Sequence, residues 1–249
     1  MAEAVLVQHE ANTITLLLNR PESRNALSHE LLMALADALA RPTGTKTTGI
    51  VITGAGDCFS AGADFRELTG TIEDLAIDED IALVNEHIRN SSVPVTALIN
   101  GACLGGAVDL ALACDRRTAT SDACFQVPAS RLGLLYNPAS VQRMVLRYGA
   151  EIVSRLLVMG ERFDASSALT AGLVSTLVGK NKSDVNTQVR HEVQLQELSP
   201  VALATKQMID AIEQGDFDPD YWQQVRLDIL SSKQRFEAVA AFKSRMQSK

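Results

Sequence analysis

Gly105 and Gly106 stand between an apolar run, Val93-Pro94-Val95-Thr96-Ala97-Leu98-Ile99, and a segment in which Ala107, Leu110, Ala111 and Ala113 share one helical face. A strand that ends in glycines and turns straight into a helix leaves backbone N–H groups free at the positive end of the helix dipole. Such a place holds an anion, or an oxygen that becomes anionic during a reaction. The same turn also serves plain close packing, because glycine brings no side chain to block it. A companion lies upstream. Gly49-Ile50-Val51-Ile52-Thr53-Gly54 reads as a short strand that runs through Ala55-Gly56-Asp57-Cys58 into Phe59-Ser60-Ala61-Gly62-Ala63-Asp64-Phe65-Arg66-Glu67-Leu68, where a second helix is expected to begin. Two turns of this kind can aim one N–H each at a single carbonyl oxygen. Gly54-Ala55-Gly56 is not a dinucleotide loop, since Phe59 occupies the place of the third glycine.

The elements that must position these turns are legible from periodicity. Val5 to Asn19 alternates and then runs apolar, with Asn12 as the turn between two strands. Ser28 caps a helix through Leu31, Leu32, Leu35 and Leu39, and Arg41 to Thr48 links it to the strand at Ile50. Thr69 to Asp80 is acidic and weakly periodic, and reads as a mobile cover over the site; a helix is expected from Ile81 to Asn90. A strand follows near Arg117-Thr118-Ala119-Thr120. Then come helices over Ser140 to Tyr148, with Val141, Met144 and Val145 inward, over Glu151 to Val158, ended by Gly160, and from a cap at Asp164 to Ala171. Lys180 to Asp184 is a polar break. Val185 to Lys249 is helical in pattern apart from Gly215 to Pro219, and holds the single tryptophan, Trp222.

With these stretches in view, Phe59-Ser60-Ala61-Gly62-Ala63-Asp64 and Asn100-Gly101-Ala102-Cys103-Leu104-Gly105-Gly106 resemble the enoyl-CoA hydratase/isomerase (crotonase) superfamily. Asn19-Arg20-Pro21-Glu22-Ser23-Arg24-Asn25-Ala26-Leu27 resembles its first signature, and Gly172-Leu173-Val174 its turn into a last short strand. The resemblance spans nearly the whole chain. It implies an α/β fold, a crotonase-like spiral of repeated ββα units with a C-terminal helical trimerisation region. The division is then a core over 1–198, with the acyl-CoA site and oxyanion hole, and a helical oligomerisation region over 199–249. It also implies an acyl-CoA thioester as partner, coenzyme A being part of the substrate rather than a separate cofactor, and a homotrimer or dimer of trimers. By the match, the N–H groups of Ala63 and Gly106 form the oxyanion hole. Arg24 corresponds to a position beside the CoA phosphates, or is an ordinary loop arginine. Ala61 and Ala63 correspond to positions whose backbone holds adenine and pantetheine, and Asp64 and Phe65 join the substrate-binding set. Lys243 reaches the CoA of a neighbouring subunit, or is a solvated basic helix end.

Enolate chemistry needs the oxyanion hole, a group that moves a proton at the α carbon, and a second group for water or for the β or γ carbon. Hydratases of the family use two glutamates. One corresponds to Asp109, a carboxylate one methylene shorter; an acid in a first helical turn also suits the dipole without any chemistry. The other corresponds to Ala129 in Phe125-Gln126-Val127-Pro128-Ala129, which moves no proton, and no carboxylate occurs from Phe125 to Tyr148. The nearby polar residues are Ser130, Arg131, Tyr136 and Asn137, and Tyr136 or Ser130 can hold a water or the acyl tail. Two readings stay open: an enzyme of CoA-thioester enolate chemistry with Asp109 as acid/base, or an acyl-CoA-binding protein that keeps the hole without catalysis. Phe125 to Leu134 resembles actinobacterial members that lack both acids.

Bulk properties narrow the partners. The chain has 249 residues, 46% of them apolar, and a net charge of −7, which argues against nucleic acid and anionic membranes. No uncharged apolar run approaches the roughly 18 residues of a membrane helix, and the Met1-Ala2-Glu3-Ala4 start lacks a basic, then apolar leader. Cys58, Cys103, Cys114 and Cys124 show no Cys-x-x-Cys spacing and read as reduced, buried thiols of a cytoplasmic protein, with no histidine near in sequence to activate one. His9, His29, His87 and His191 have no metal-ligand spacing, so no metal is expected.

Overall fold

The structure, a computed structural model, describes residues 3–10, 12–41, 47–179 and 199–247, with the side chains of 241–247 left aside. It divides into two units, 1–197 and 198–249.

In the first unit, Val5–Glu10 (β1) and Thr13–Leu18 (β2) make the antiparallel hairpin that the alternation around Asn12 predicts. Gly49–Gly54 (β3), Val95–Ile99 (β5), Arg116–Thr120 (β7) and Thr176–Val178 (β10) add to it in parallel, giving the order β1-β2-β3-β5-β7-β10. Every residue of β3 and β5 is buried, which is why both read as unbroken apolar runs instead of alternating ones. Three of these strands hand the chain to short strands of a second sheet: β3 to Cys58–Ser60 (β4), β5 to Ala102–Leu104 (β6), β7 to Cys124–Gln126 (β8). Phe163–Asp164 (β9) closes that sheet antiparallel to β8, in the order β4-β6-β8-β9. Each strand pair is followed by a helix. His29–Ala40 (α1) follows the hairpin, and Leu75–Arg89 (α2), Gly106–Ala113 (α3) and Pro138–Tyr148 (α4) follow the other three pairs. This is a ββα repeat. Ala150–Val153 (α5) runs on into a π-helical stretch, Ser154–Val158, and Ala165–Thr170 (α6) starts from its Asp164 cap.

Ser28 caps α1 as its position predicts, its Oγ accepting the Leu31 N–H at 3.2 Å, and Leu31, Leu32, Leu35, Ala36 and Leu39 form the buried face. Three local expectations are corrected. The segment after Gly62 is not helical, because the Asp64 carboxylate accepts the Arg66 N–H at 3.2 Å and closes a turn there. The acidic stretch before Ile81 is already helix from Leu75: the Asp74 carboxylate takes the Thr69 and Gly70 N–H groups at 2.7 and 2.9 Å, and Asp78 sits in a first turn, where the dipole favours acids. On α4 the buried residues are Ser140, Arg143 and Met144, whereas Val145 is 37% exposed.

The second unit is helical: Pro200–Gln214 (α7), Pro219–Leu230 (α8) and Lys233–Gln247 (α9). The break falls where Gly215 and Pro219 put it, with Gly215 left-handed and Asp218 capping α8. Val201, Ile209, Tyr221 and Leu227 are exposed. The Lys180–Asp184 break, the helical pattern from Val185 to 198 and His191 lie outside the described residues. Among the described residues no helix is long and apolar enough to cross a membrane.

Candidate active site

β4 and β6 run parallel, with Cys58 opposite Ala102 and Ser60 opposite Cys103, so the chain leaves both at the same end of the sheet. The turns that follow touch. A Cβ on Gly62 would lie 2.6 Å from the Leu104 carbonyl oxygen and 3.3 Å from Gly105 Cα. Gly62 and Gly105 also hold φ values of 88° and 54°, so both need glycine for conformation, and Gly62 needs it for contact as well.

The next residues on either side are Ala63 and Gly106. Ala63 forms a single parallel bridge with Leu27: the Gly62 carbonyl accepts from Leu27 N–H at 2.8 Å and the Asp64 N–H donates to the Leu27 carbonyl at 3.0 Å. In such a bridge the N–H of Ala63 points away from Leu27. Gly106 opens α3, and its N–H belongs to the unsatisfied first turn. Neither N–H has a hydrogen-bond partner among the described residues.

Side chains tie the first turn down. Asn25, fully buried, donates to the Ala55 and Cys58 carbonyls at 2.9 and 2.8 Å and accepts the Arg20 N–H at 3.0 Å. Asn100 donates to the Gly54 and Gly56 carbonyls at 2.8 and 3.1 Å, linking the ends of β3 and β5. The Arg20 guanidinium bridges the Ala26 carbonyl, Ser28 Oγ and the Asp64 carboxylate at 3.0, 2.7 and 3.1 Å. Arg66 adds bonds of 2.9 and 2.7 Å to Asp64 and, with Arg20, brings that carboxyl down to about 2. Asp64 therefore faces its own loop. Ala61 donates to the Arg24 carbonyl at 3.0 Å, which sets the exposed Arg24 beside the turn; Phe65 is 65% exposed next to Ala63.

Beneath the second turn, Asp109 is buried with both oxygens engaged. Oδ1 pairs with Arg143, and Oδ2 accepts from Ser140 Oγ at 2.7 Å and Asn85 Nδ2 at 3.1 Å. Burial pushes its carboxyl up, while Arg143 and the two neutral donors pull the other way. The ion pair joins α3 to α4, and the Asn85 bond ties α2 to the same point. Asn85, Ser140 and Arg143 are what reading the sequence missed. Asn85 leaves a signal, one polar residue on an otherwise apolar face with Ile81, Val84 and Ile88; Ser140 and Arg143 leave none, since two of the three buried residues of α4 are polar.

Ala129 follows Pro128 in a short 3₁₀ turn and is buried, with no proton to move. Tyr136 lies at the second turn, its hydroxyl donating to the Gly105 carbonyl at 3.4 Å, and burial holds its phenol far above the usual range. Ser130 bonds the Val158 carbonyl at 3.4 Å and Asn137 caps α4, so local structure uses both; Arg131 is exposed. The cysteines are buried and none is in a disulfide. Cys58 donates to the Ala102 carbonyl at 3.2 Å, and burial raises its thiol and, further, that of Cys103, which keeps both protonated. His29 pairs with Asp80 at 2.7 Å. No group of His, Cys, Asp and Glu among the described residues is arranged to hold a metal ion. Lys243 lies on α9, and its side chain is outside the described residues.

The sequence profile of the Enoyl-CoA hydratase/isomerase family matches residues 8–245. The chain belongs to this family. It is 30% identical over 244 residues to the 2,3-dehydroadipyl-CoA hydratase of Escherichia coli (strain K12), across 96% of this chain and 94% of that protein. To the mitochondrial Delta(3,5)-Delta(2,4)-dienoyl-CoA isomerase of Rattus norvegicus it is 28% identical over 252 residues, across 93% of this chain and 76% of that one. The crystal structure of an enoyl-CoA hydratase/isomerase family protein from Hyphomonas neptunium superposes with a TM-score of 0.84 at 31% identity, covering 97% of this chain and 95% of that chain. The crotonase-like α/β fold of this family member follows from the match together with its ββα repeat.

Proposed function

We propose that this family member binds the thioester of an acyl-CoA and stabilises its enolate by hydrogen bonds from the Ala63 and Gly106 N–H groups. The observation that carries this reading is the pair of unpartnered N–H groups on two turns in contact. When a proton leaves the α carbon, negative charge collects on the thioester oxygen, and donors already aimed at it need no reorganisation; one such donor is typically worth about 10²–10³ in rate. Arg24, Ala61 and Phe65 line the approach for the CoA moiety, and Tyr136 borders the acyl end. Lys243 of a neighbouring copy completes the nucleotide contacts.

Asp109, expected as the acid/base, has a place one turn beyond Gly106 but little freedom there. A buried carboxylate held by Arg143, Ser140 and Asn85 serves best as the anchor of the helices behind the hole. With Ala129 unable to act, the site favours single-proton chemistry at the α carbon, as in double-bond isomerisation, over addition of water. The same two features favour a second reading, a protein that binds acyl-CoA without turning it over. Incubation with 2-enoyl- and 3-enoyl-CoA followed by product analysis separates them: interconversion supports the enzyme, and calorimetric binding of acetoacetyl-CoA without any product supports the binder. Equal affinity for acetoacetyl-CoA and free CoA would remove the oxyanion hole from both. Ala129→Glu should raise hydration of 2-enoyl-CoA.

The exposed Val201, Ile209, Tyr221 and Leu227 support assembly through the helical unit into a trimer or a dimer of trimers. Light scattering at micromolar concentration checks it, and a monomer would contradict it. Four buried cysteines outside any disulfide favour a reducing, cytoplasmic setting.

A further inference from the structure

On α2, Asp78, Ile81 and Asn85 recur at the spacing that puts side chains on one face. Two of them have located neighbours on α3. Ile81 Cδ1 is what a Cβ on Gly106 would strike, at 2.7 Å, and Asn85 Nδ2 donates to Asp109 at 3.1 Å. Ile81 beside Gly106 and Asn85 beside Asp109 mean that the two helices run in the same sense here. Asp78 lies three residues before Ile81, about 4.5 Å back along the axis. That step carries it past the start of α3, onto the side of the Gly105–Gly106 turn. Tyr136, whose hydroxyl rests on the Gly105 carbonyl, occupies the same place.

The two acids behind the hole differ in kind. Asp109 is sealed and bonded at both oxygens, whereas Asp78 is half-buried and has no hydrogen-bond or ion-pair partner among the described residues. We propose that Asp78 is the catalytic residue that removes and returns the proton at the thioester α carbon, a role resting on the enolate reading above. The α C–H bond breaks with its proton passing to an Asp78 carboxylate oxygen. The electron pair forms the enolate double bond, and the charge settles on the thioester oxygen facing Ala63 and Gly106. Return of the proton to the α carbon gives exchange with solvent; return to the γ carbon of a 3-enoyl chain gives the 2-enoyl isomer. Burial, and after it the charge of Asp109, push the Asp78 carboxyl up, which suits a base near neutral pH better than a free surface acid.

The experiment follows loss of the α-proton signal of butyryl-CoA in D₂O by NMR, alongside calorimetry with acetoacetyl-CoA. Wild type should exchange, Asp78→Asn should lose about 10²–10⁴ in exchange rate while still binding, and the exposed neighbour variant Glu79→Gln should match wild type. Asp78→Glu, which returns a carboxylate, should exchange faster than Asp78→Asn. An Asp78→Asn variant that exchanges at the wild-type rate, or equal rates in the Asn and Glu variants, overturns Asp78. A wild type that binds acetoacetyl-CoA but exchanges no α proton overturns the enolate reading itself, and the proposal with it.

Discussion

The turn at Gly62–Asp64 and the turn at Leu104–Gly106 present the same thing, one unpartnered N–H each, and are built by opposite means. The second opens a helix, so its free N–H comes with the helix and needs only that α3 be held in place. A sealed ion pair, Asp109 with Arg143, does the holding. The first opens no helix. Its N–H is freed by a single bridge to Leu27 and kept in position by Asp64, Arg20 and Arg66, of which Arg66 is largely exposed. One half of the proposed oxyanion hole thus depends on charge in a dry place and the other on charge near water, where screening and protonation reach it.

The largest effect should come from unsealing the dry side. Arg143→Ala leaves Asp109 buried and unpaired, which should cost about 3–5 kcal/mol in thermal or denaturant unfolding; removing Asp109 as well should recover part of it. A loss no greater than for a surface arginine would deny the ion pair its anchoring role. Gly62→Ala attacks the contact between the turns. A left-handed backbone costs a side chain about 1–2 kcal/mol, and the new methyl meets the Leu104 carbonyl, so we expect a total of about 2–3 kcal/mol and loss of the preference for acyl-CoA over CoA in calorimetry.

On the wet side the expected effect is smaller and depends on pH. Folded Asp64 titrates at about 2 against an ordinary 3.8, so the folded protein holds this proton more weakly than the unfolded chain does. Its contribution, on the order of 1–2 kcal/mol given the exposure of Arg66, is complete above pH ~4 and vanishes as pH falls through ~2. Asp109, raised by burial, works in the reverse direction over acid pH, so the contrast of wild type with Asp64→Asn isolates the first turn. The two should differ in urea unfolding at pH 6 and converge near pH 2; a constant difference would refute the linkage. Smallest is Ser28→Ala, about 1 kcal/mol, from loss of a cap that also accepts from Arg20.

Much of the fold could be read from the chain because its signals are local. Glycines at 62, 105 and 215, caps at Ser28 and Asp164, and the fully apolar β3 and β5 state their own conformations. The short strands β4, β6 and β8 could not be read: three residues carry too little periodicity, and only pairing across the second sheet makes them strands. The start of α2 was hidden for the opposite reason, since its acids look like solvated loop until the helix dipole and the Asp74 bonds are in place.

Residue by residue, the sequence alone determined where the two small-residue turns fall, that no carboxylate occurs from Phe125 to Tyr148, and that Asp109 lies one turn beyond Gly106. It could not determine what Asp109 does. Spacing along one chain reports which residues share a face, and says nothing of which residue from another helix meets them. Arg143 comes 34 positions after Asp109, and only the packing of α4 on α3 turns that carboxylate from an apparent free acid into a buried salt bridge. The same packing leaves Asp78, on a third helix, half-buried and without a hydrogen-bond or ion-pair partner among the described residues, while Asn85 Nδ2, Ser140 Oγ and Arg143 Nη2 all turn to Asp109.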